Sequence, residues 1–472
     1  MVTSYYGQAR GSVTVNFRLA HKLRAHGVPS LILKIYHRFR NAASRAGEFI
    51  RQKLFRLFRK PPKSKLLRVE PDQIDGAQKD LRDFNVCDLR NVAAQKAWRI
   101  CNLSLPSAYA CHPEIATAVR AAGGSARAFP PAPFIVHARD VGVVGGGRYL
   151  ALEDDVMIHD EMHTFLHDDT VSLKYFRGTL PERIDHQRIR MEIPRKTEST
   201  IRAGVHAMHE HATNYFHLVT EVLPRVLIAR EEGISSDFPL LINAGLHRNL
   251  RELLDIIEPH RKKVPLMTGR VYSVNHLVFP SDVSSVQDVY VRPRWSWESV
   301  LHRELIRSCV ETVLVAKQAD KAPSRHRWVY VRRGSRYRAL TNEQAIETML
   351  AEMNFETITP EDLTLDAQVS IFRDAEIVVA PTGAALTNIV WCKPETTVIV
   401  LASDHEAVPL EVWKQLAEVS GCQVLFVRGT QGPTHHPGLP RMHCDYTISP
   451  SAVAAVLSAV LKSVLPHTPS HC

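Results

Sequence analysis

Two short stretches of this 472-residue chain carry side chains suited to moving a proton and to holding an anion. In the first, Asn214-Tyr215-Phe216-His217 runs into Glu221-Val222-Leu223-Pro224-Arg225. On a helix His217 and Glu221 fall one turn apart on the same face. A carboxylate beside an imidazole orients the ring and raises its basicity, which is what a general base needs. The competing account is a hydrogen-bonded core histidine. In the second stretch, Ala380-Pro381-Thr382-Gly383-Ala384-Ala385-Leu386-Thr387-Asn388 sits between two apolar runs. It reads as a buried strand that stops at a glycine and turns into a helix, so that unpaired N–H groups at the helix start face any anion placed there. Upstream lies the arginine-dense Tyr330-Val331-Arg332-Arg333-Gly334-Ser335-Arg336-Tyr337-Arg338, followed by Asn342-Glu343. Guanidinium groups bind phosphate oxygens two at a time, although a solvated basic loop is the ordinary alternative for such a run. Together these elements point to a diphosphate site in the second half of the chain.

Such residues need a scaffold, and the pattern of apolar residues supplies one. From about residue 205 helical and strand-like segments alternate: a helix from Tyr215 to Glu231, a strand at 239–242, a helix near 248–257, a strand at 274–279 and a helical stretch from about 297 to 317. A second series begins at Arg327-Trp328-Val329-Tyr330-Val331. It continues through helices at 342–353 and 366–373, a strand at 376–380, a helix at 384–390, a strand at 397–401 and a helix at 408–420. Alternating βα units imply parallel sheets covered by helices, here in two blocks. Ligands of such sheets sit at the carboxyl ends of the strands, where both phosphate elements fall. Residues 66–130 read as mixed or irregular, and from Phe134 short strands and turns take over. The cluster Val141-Gly142-Val143-Val144-Gly145-Gly146-Gly147 reads as a hairpin turn, because no helical pattern follows it as a dinucleotide-binding turn would require.

The net charge of +10 is confined to one end. Residues 1–70 hold 16 Lys and Arg against only Glu48 and Glu70, while the remainder holds 43 basic and 47 acidic residues. A nucleic-acid-binding domain carries its basic stripe on the folded body, so no nucleic acid partner is expected. Ile32, Ile35, Tyr36, Phe39, Phe49, Ile50, Leu54 and Leu57 recur at helical spacing among Arg38, Arg45, Arg51, Lys53 and Arg56. Such a helix, over residues 30–60, can lie on an anionic membrane surface; a helix packed on its own protein, or a basic arm, is the alternative. No run is long and apolar enough to span a bilayer, and the N-terminus does not read as a cleavable signal. Eight cysteines without a C-x-x-C pair read as reduced thiols. No metal site is expected either: His206, His209 and His211, and His159, His163 and His167, are numerous but lack the compact H-E-x-x-H spacing.

The motifs around His217 and Glu221, Arg332 to Arg338 with Asn342-Glu343, and Gly383-Ala384-Ala385-Leu386-Thr387-Asn388 resemble, in their order and spacing, glycosyltransferase family 61, over roughly residues 130–460. The resemblance implies an α/β fold of GT-B type: two Rossmann-like domains facing a cleft. On that basis residues 1–65 form a basic amphipathic extension and 66–130 a linker or irregular region. Residues 131–300 form the acceptor-side domain with a small β region at its start, and 301–465 the nucleotide-sugar domain. The implied activity is inverting transfer from a nucleotide sugar to a glycan or lipid-linked glycan acceptor, in making a capsular or other cell-surface polysaccharide, with no obligatory cofactor. His217 or Glu221 takes the acceptor proton. Arg332, Arg333 and Arg338, the backbone at Gly383 and Ala384, and Asn388 receive the diphosphate, with Asn214, Asn342 and Glu343 in support. The family often has His where Thr382 stands, and Glu within the strand occupied by Val398-Ile399-Val400-Leu401. These departures frame the alternative, a silent relative that binds nucleotide sugar or glycan as a membrane-associated scaffold. The expected location is cytoplasmic, peripheral on the inner face of the membrane.

Overall fold

Alternation of hydrophobic strands with amphipathic helices builds two sheets whose facing sides share one core. The structure, a computed structural model, describes residues 80–106, 132–152, 155–158, 182–183, 188–194, 197–286, 299–319, 327–334, 337–433 and 441–464. The basic amphipathic helix expected over residues 30–60, and His159, His163 and His167, lie outside the described residues.

The first sheet contains β1 (Asp80–Cys87), β2 (Arg99–Asn102), β3 (Phe134–Val144), β4 (Leu150–Leu152), β5 (Val156–Ile158), β6 (Glu182–Arg183), β7 (Arg188–Ile193), β8 (Thr200–His206), β9 (Leu240–Asn243), β10 (Lys263–Leu266) and β11 (Val271–Pro280). They run in the order β10-β9-β8-β11-β3-β4-β5-β1-β7-β6, with β2 also on β3. The β10-β9-β8-β11 portion is parallel, and so is the distant pair β1 with β5. From β3 onward nearly all pairs are antiparallel, so this block is a mixed sheet rather than the wholly parallel one expected. The stretch 66–130, expected to be irregular, supplies β1, β2 and the helix Leu89–Gln95, capped by Asp88. Their short apolar runs gain stability only by pairing with distant strands, which no local pattern announces. The glycine cluster at 145–147 does form the turn between β3 and β4, with Gly146 at φ +85°.

A short ribbon, β12 (Ser285–Val286) with β13 (Ser299–Val300), precedes the helix Arg303–Lys317, which starts later than the periodicity suggests because His302 caps it. The second sheet contains β14 (Arg327–Val331), β15 (Glu356–Ile358), β16 (Ala375–Pro381), β17 (Thr397–Ser403), β18 (Gln423–Gln431) and β19 (Tyr446–Thr447). Its order is β15-β14-β16-β17-β18-β19, parallel except at the last pair. β17 is buried along its whole length, which is why it reads as a continuous Val/Ile run instead of an alternating one.

In both sheets the chain leaves the first strand of the parallel series to one side and later returns to the other. The reversal falls between β8 and β11 in the first sheet and between β14 and β16 in the second. At such switch points the connections diverge and open a crevice at the carboxyl ends of the strands. The helices Leu223–Glu231, Arg303–Lys317 and Glu411–Ser420 and the turn Ala384–Trp391 fill the space between the sheets. One hydrophobic cluster there includes Val205, Leu227, Val331, Val378 and Trp391. No helix among the described residues is long and apolar enough to cross a membrane. The described cysteines, Cys87, Cys101, Cys309, Cys392, Cys422 and Cys444, are free thiols.

Candidate active site

At the first switch point the chain leaves β8 through residues 207–214 and enters a helix at Tyr215, capped by the Asn214 side chain accepting from the Phe216 N–H at 3.0 Å. The helix widens to a π turn over Leu218–Val222 before resuming at Leu223–Glu231. Pro224 has no N–H to offer the carbonyl four residues earlier and its ring crowds that turn, so the widening relieves a local conflict. His217 precedes the widened turn and Glu221 lies within it, and His217 Nδ1 lies 2.5 Å from Glu221 Oε2. Glu221 is the deeper partner, its side chain 4% exposed against 18% for His217. The imidazole is thus anchored through Nδ1, and its Nε2 is the atom left to meet a ligand.

His209 completes this cluster. Its backbone is clamped by Asn243 at the end of β9, whose Oδ1 accepts from the His209 N–H (3.1 Å) and whose Nδ2 donates to the His209 carbonyl (2.8 Å). His209 Nδ1 accepts from the His211 N–H at 3.0 Å, which leaves its ring proton on Nε2, 3.2 Å from Glu221 Oε2. That approach is misaligned for a hydrogen bond. Donor atoms of His209, His217 and Glu221 all lie within 4.8 Å of one another, so the set has the composition of a metal site. The bond to Glu221 holds His217, whereas His209 Nε2 is buried without a hydrogen-bond partner among the described residues.

Charge around the cluster is balanced by a buried network absent from the sequence reading. Arg148, just after the β3–β4 turn, donates to Glu210 Oε2 (2.9 Å) and Asp282 Oδ2 (2.8 Å). Arg225, fully buried, donates to the carbonyls of Pro280 (3.0 Å) and Met208 (3.2 Å), and its Nη2 lies 3.1 Å from His206 Nδ1. His206 is therefore a tether for Arg225. Burial disfavours the charged form of every group here. It pushes the Glu221 carboxyl up to about 8, an effect that the Arg148 charge partly opposes. Burial, then the Arg148 charge, holds His217 down to about 3. The dyad consequently retains one shared proton at neutral pH.

At the second switch point, β14 leads into the arginine loop and β16 into the glycine turn. The two differ in where they send their side chains. Arg332 is paired with Glu347 on the helix Glu343–Glu352 and is 44% exposed. Arg333 turns the other way and donates to the Thr382 carbonyl. A Cβ on Gly383 would come 2.8 Å from Arg333 Nη1, so the glycine leaves room for the guanidinium. Arg338 holds a left-handed backbone (φ +53°), its N–H donating to the His443 carbonyl at 3.0 Å. The Nε atoms of Arg333 and Arg338 are buried without a hydrogen-bond partner among the described residues. Burial and then the charge of Arg338 push Arg333 down to about 10. Two guanidinium groups that repel each other across a strand end, with donors unused, are arranged for an anion. Arg336 lies outside the described residues.

The supporting residues hold this geometry. Glu343 Oε1 accepts from Tyr330 Oη (3.1 Å) and from the Arg333 N–H (3.2 Å), which fixes the start of the loop. Asn342 bonds both backbone groups of Ile448. Gly383 is extended, and Ala384–Trp391 is a 3-10 turn instead of the α-helix expected. Gly383 to Ala385 are only partly buried, so the first N–H groups of that turn remain within reach of a ligand. Asn388 points inward. Its Oδ1 accepts from Tyr215 Oη (3.1 Å) and from Trp391 Nε1 (3.0 Å). That triad joins the start of the dyad helix to the glycine turn, so the two elements are locked together rather than merely facing. Thr382 and Val398 to Leu401 are buried.

No curated protein matches the chain. Residues 215–399, a segment that begins at the dyad helix and extends past the arginine loop and the glycine turn into β17, match the family model Glycosyltransferase 61. The segment that holds these elements is therefore a glycosyltransferase 61 domain, and the protein is a glycosyltransferase.

Proposed function

We propose that the protein transfers a sugar from a nucleotide-sugar donor to a hydroxyl of a glycan or lipid-linked glycan acceptor, with inversion, in making a capsular or other cell-surface polysaccharide. The observation that carries this reading is the coupling of the two switch points through Tyr215, Asn388 and Trp391. It ties a buried carboxylate–imidazole dyad to a pair of guanidinium groups with unused donors. In the proposed step His217 Nε2 takes the acceptor proton while the acceptor oxygen attacks the anomeric carbon from the face opposite the diphosphate. The bond to the diphosphate breaks, and the charge that develops there falls on Arg333, Arg338 and the N–H groups after Gly383. Donors already in place where charge develops stabilise a transition state more than a ground state. Glu221 orients the ring and stabilises the imidazolium. The GT-B arrangement, with an acceptor side at 131–300 and a donor side at 301–465, follows from the same reading.

A thermal-shift screen against UDP, GDP and CMP and their sugars tests it. One nucleotide diphosphate is expected to raise Tm, and the rise is expected to be lost in Arg333→Ala. EDTA is expected to leave both the shift and the turnover unchanged. If turnover falls with EDTA and returns with added Mn²⁺ or Zn²⁺, His209, His217 and Glu221 become metal ligands instead of a base. No shift with any nucleotide would remove the donor site.

The dyad also sets a pH dependence. The pair must give up its shared proton before it can accept another, and burial has pushed Glu221 up to about 8. Transfer is therefore expected to be low at acid pH, to rise about tenfold per unit, and to level off above about pH 8 in kcat/KM. A profile flat from pH 6 to 9 would exclude the dyad as the base.

Peripheral attachment to the inner face of the membrane through residues 30–60 completes the proposal. Liposome flotation with anionic vesicles is expected to carry the intact chain and to leave a version lacking residues 1–65 behind. Equal partitioning of the two would rule the attachment out.

A further inference from the structure

Away from the dyad and the arginine loop, a cleft of about 450 Å³ opens beside β2, β3 and β11, lined by Lys96, Trp98, Arg99, His137, Arg139 and His276. Among the described residues no carboxylate lines it. An adjoining cleft of about 260 Å³ shares Arg99 and His137 with it and adds Phe238 and one acid, Glu232. Arg99 and Arg139 are exposed and make no ion pair among the described residues. His137 Nδ1 and His276 Nε2 face each other at 3.2 Å, two imidazoles in contact with each other instead of with a carboxylate. Burial, then the neighbouring His276 and arginine charges, depresses the proton affinity of His137. Two non-glycine residues in the left-handed region, Ala97 and Asp140, both at φ +51°, flank the cleft. One carries the chain from Lys96 to Trp98. The other follows Arg139 and breaks the alternation of β3, leaving both residues exposed. Such conformations persist where the surrounding structure enforces them.

We propose that this cleft holds an acidic sugar unit of the acceptor glycan, with the ring against Trp98 and its carboxylate or phosphate between Arg99 and Arg139. This rests on the glycosyltransferase reading for its acceptor but uses none of the residues assigned to transfer. Guanidinium groups match the geometry of either anion, and an indole face offers an apolar wall to the C–H face of a sugar. A growing acidic polymer would thus be held at a second point, away from the reacting end.

The test uses the intact chain and titration calorimetry with trigalacturonate, mannose 6-phosphate and neutral maltotriose. Trigalacturonate binding better than the phosphate assigns a carboxylate, and the reverse order a phosphate. The better acid is expected to bind at least tenfold more tightly than maltotriose, and to lose roughly tenfold in Arg99→Ala and again in Arg99→Ala with Arg139→Ala. Trp98→Ala is expected to weaken the acid sugar but not inorganic phosphate. The donor-induced rise in Tm, read on the same variants, is expected to stay, so failure of the cleft leaves the donor site standing and failure of the donor site leaves the cleft to be judged alone. Equal affinity for the acidic and neutral sugars, or unchanged affinity in the double arginine variant, would overturn the assignment.

Discussion

His217→Ala is expected to lower kcat/KM by about a thousandfold, within the range of removing a positioned general base, while the donor nucleotide still raises Tm as in the parent. The expectation follows from geometry: Nδ1 is committed to Glu221, the carboxylate is buried, and only the imidazole reaches outward. Glu221→Gln separates the two roles. An amide keeps the shape and can still engage Nδ1, but it cannot stabilise the imidazolium that forms when the ring takes the acceptor proton. Its rate is expected to fall by less than that of His217→Ala, and the rise of activity toward pH 8 is expected to disappear, because the group that burial pushes up has been removed. If Glu221→Gln is as inactive as a chain lacking both groups while His217→Ala retains most turnover, the carboxylate is the base. His209→Ala is the accompanying control for damage to the cluster, since its Nδ1 and backbone order residues 209–211.

Arg333→Ala is expected to cost about 2 to 4 kcal/mol of transition-state stabilisation, a loss of roughly thirty- to a thousandfold in kcat/KM. The size follows from burial. A guanidinium held against the Thr382 carbonyl beside Gly383, with Nε unused, acts in a region where water does not screen it. Arg332→Ala is the informative comparison. That side chain is exposed and spent on Glu347, and an exposed ion pair contributes on the order of 1 kcal/mol or less, so a change below tenfold is expected. Arg333→Lys keeps the charge but loses the planar fork, and is expected to recover only part of the activity. Steady-state kinetics on the three variants decide the matter. Equal losses at 332 and 333 would mean that the loop rearranges when donor binds and that the orientation with Arg332 on Glu347 is not the productive one.

Local features were legible because their chemistry is local. The βα alternation from residue 205 follows from helical and strand periodicities that repeat within a dozen residues. His217 and Glu221 are brought together by one helical turn, and Gly383 marks the end of a strand because a run of β-branched residues stops there. The arginine loop and the glycine turn each follow a hydrophobic strand and so fall at a strand's carboxyl end; that the two strands are neighbours appears only in the folded sheet.

Other relations exist only once the chain has folded. Whether Arg332 or Arg333 faces Gly383 depends on how the chain leaves β14, and consecutive residues there go to opposite sides. The strands of residues 80–102 are too short and too weakly patterned to declare themselves until β3, β5 and β7 offer them partners. The charges that tune the dyad, Arg148, Glu210, Arg225 and Asp282, are drawn from four separate segments. Arg148 and Asp282 are 134 residues apart, and no sequence period relates them. Asn388, which its motif places at the anion site, instead bonds Tyr215 across 173 residues and fastens the two sites together. Residue types and spacings along the chain determined which chemistry was available. Packing alone decided which of those groups meet, because burial and long-range pairing are properties of the folded whole.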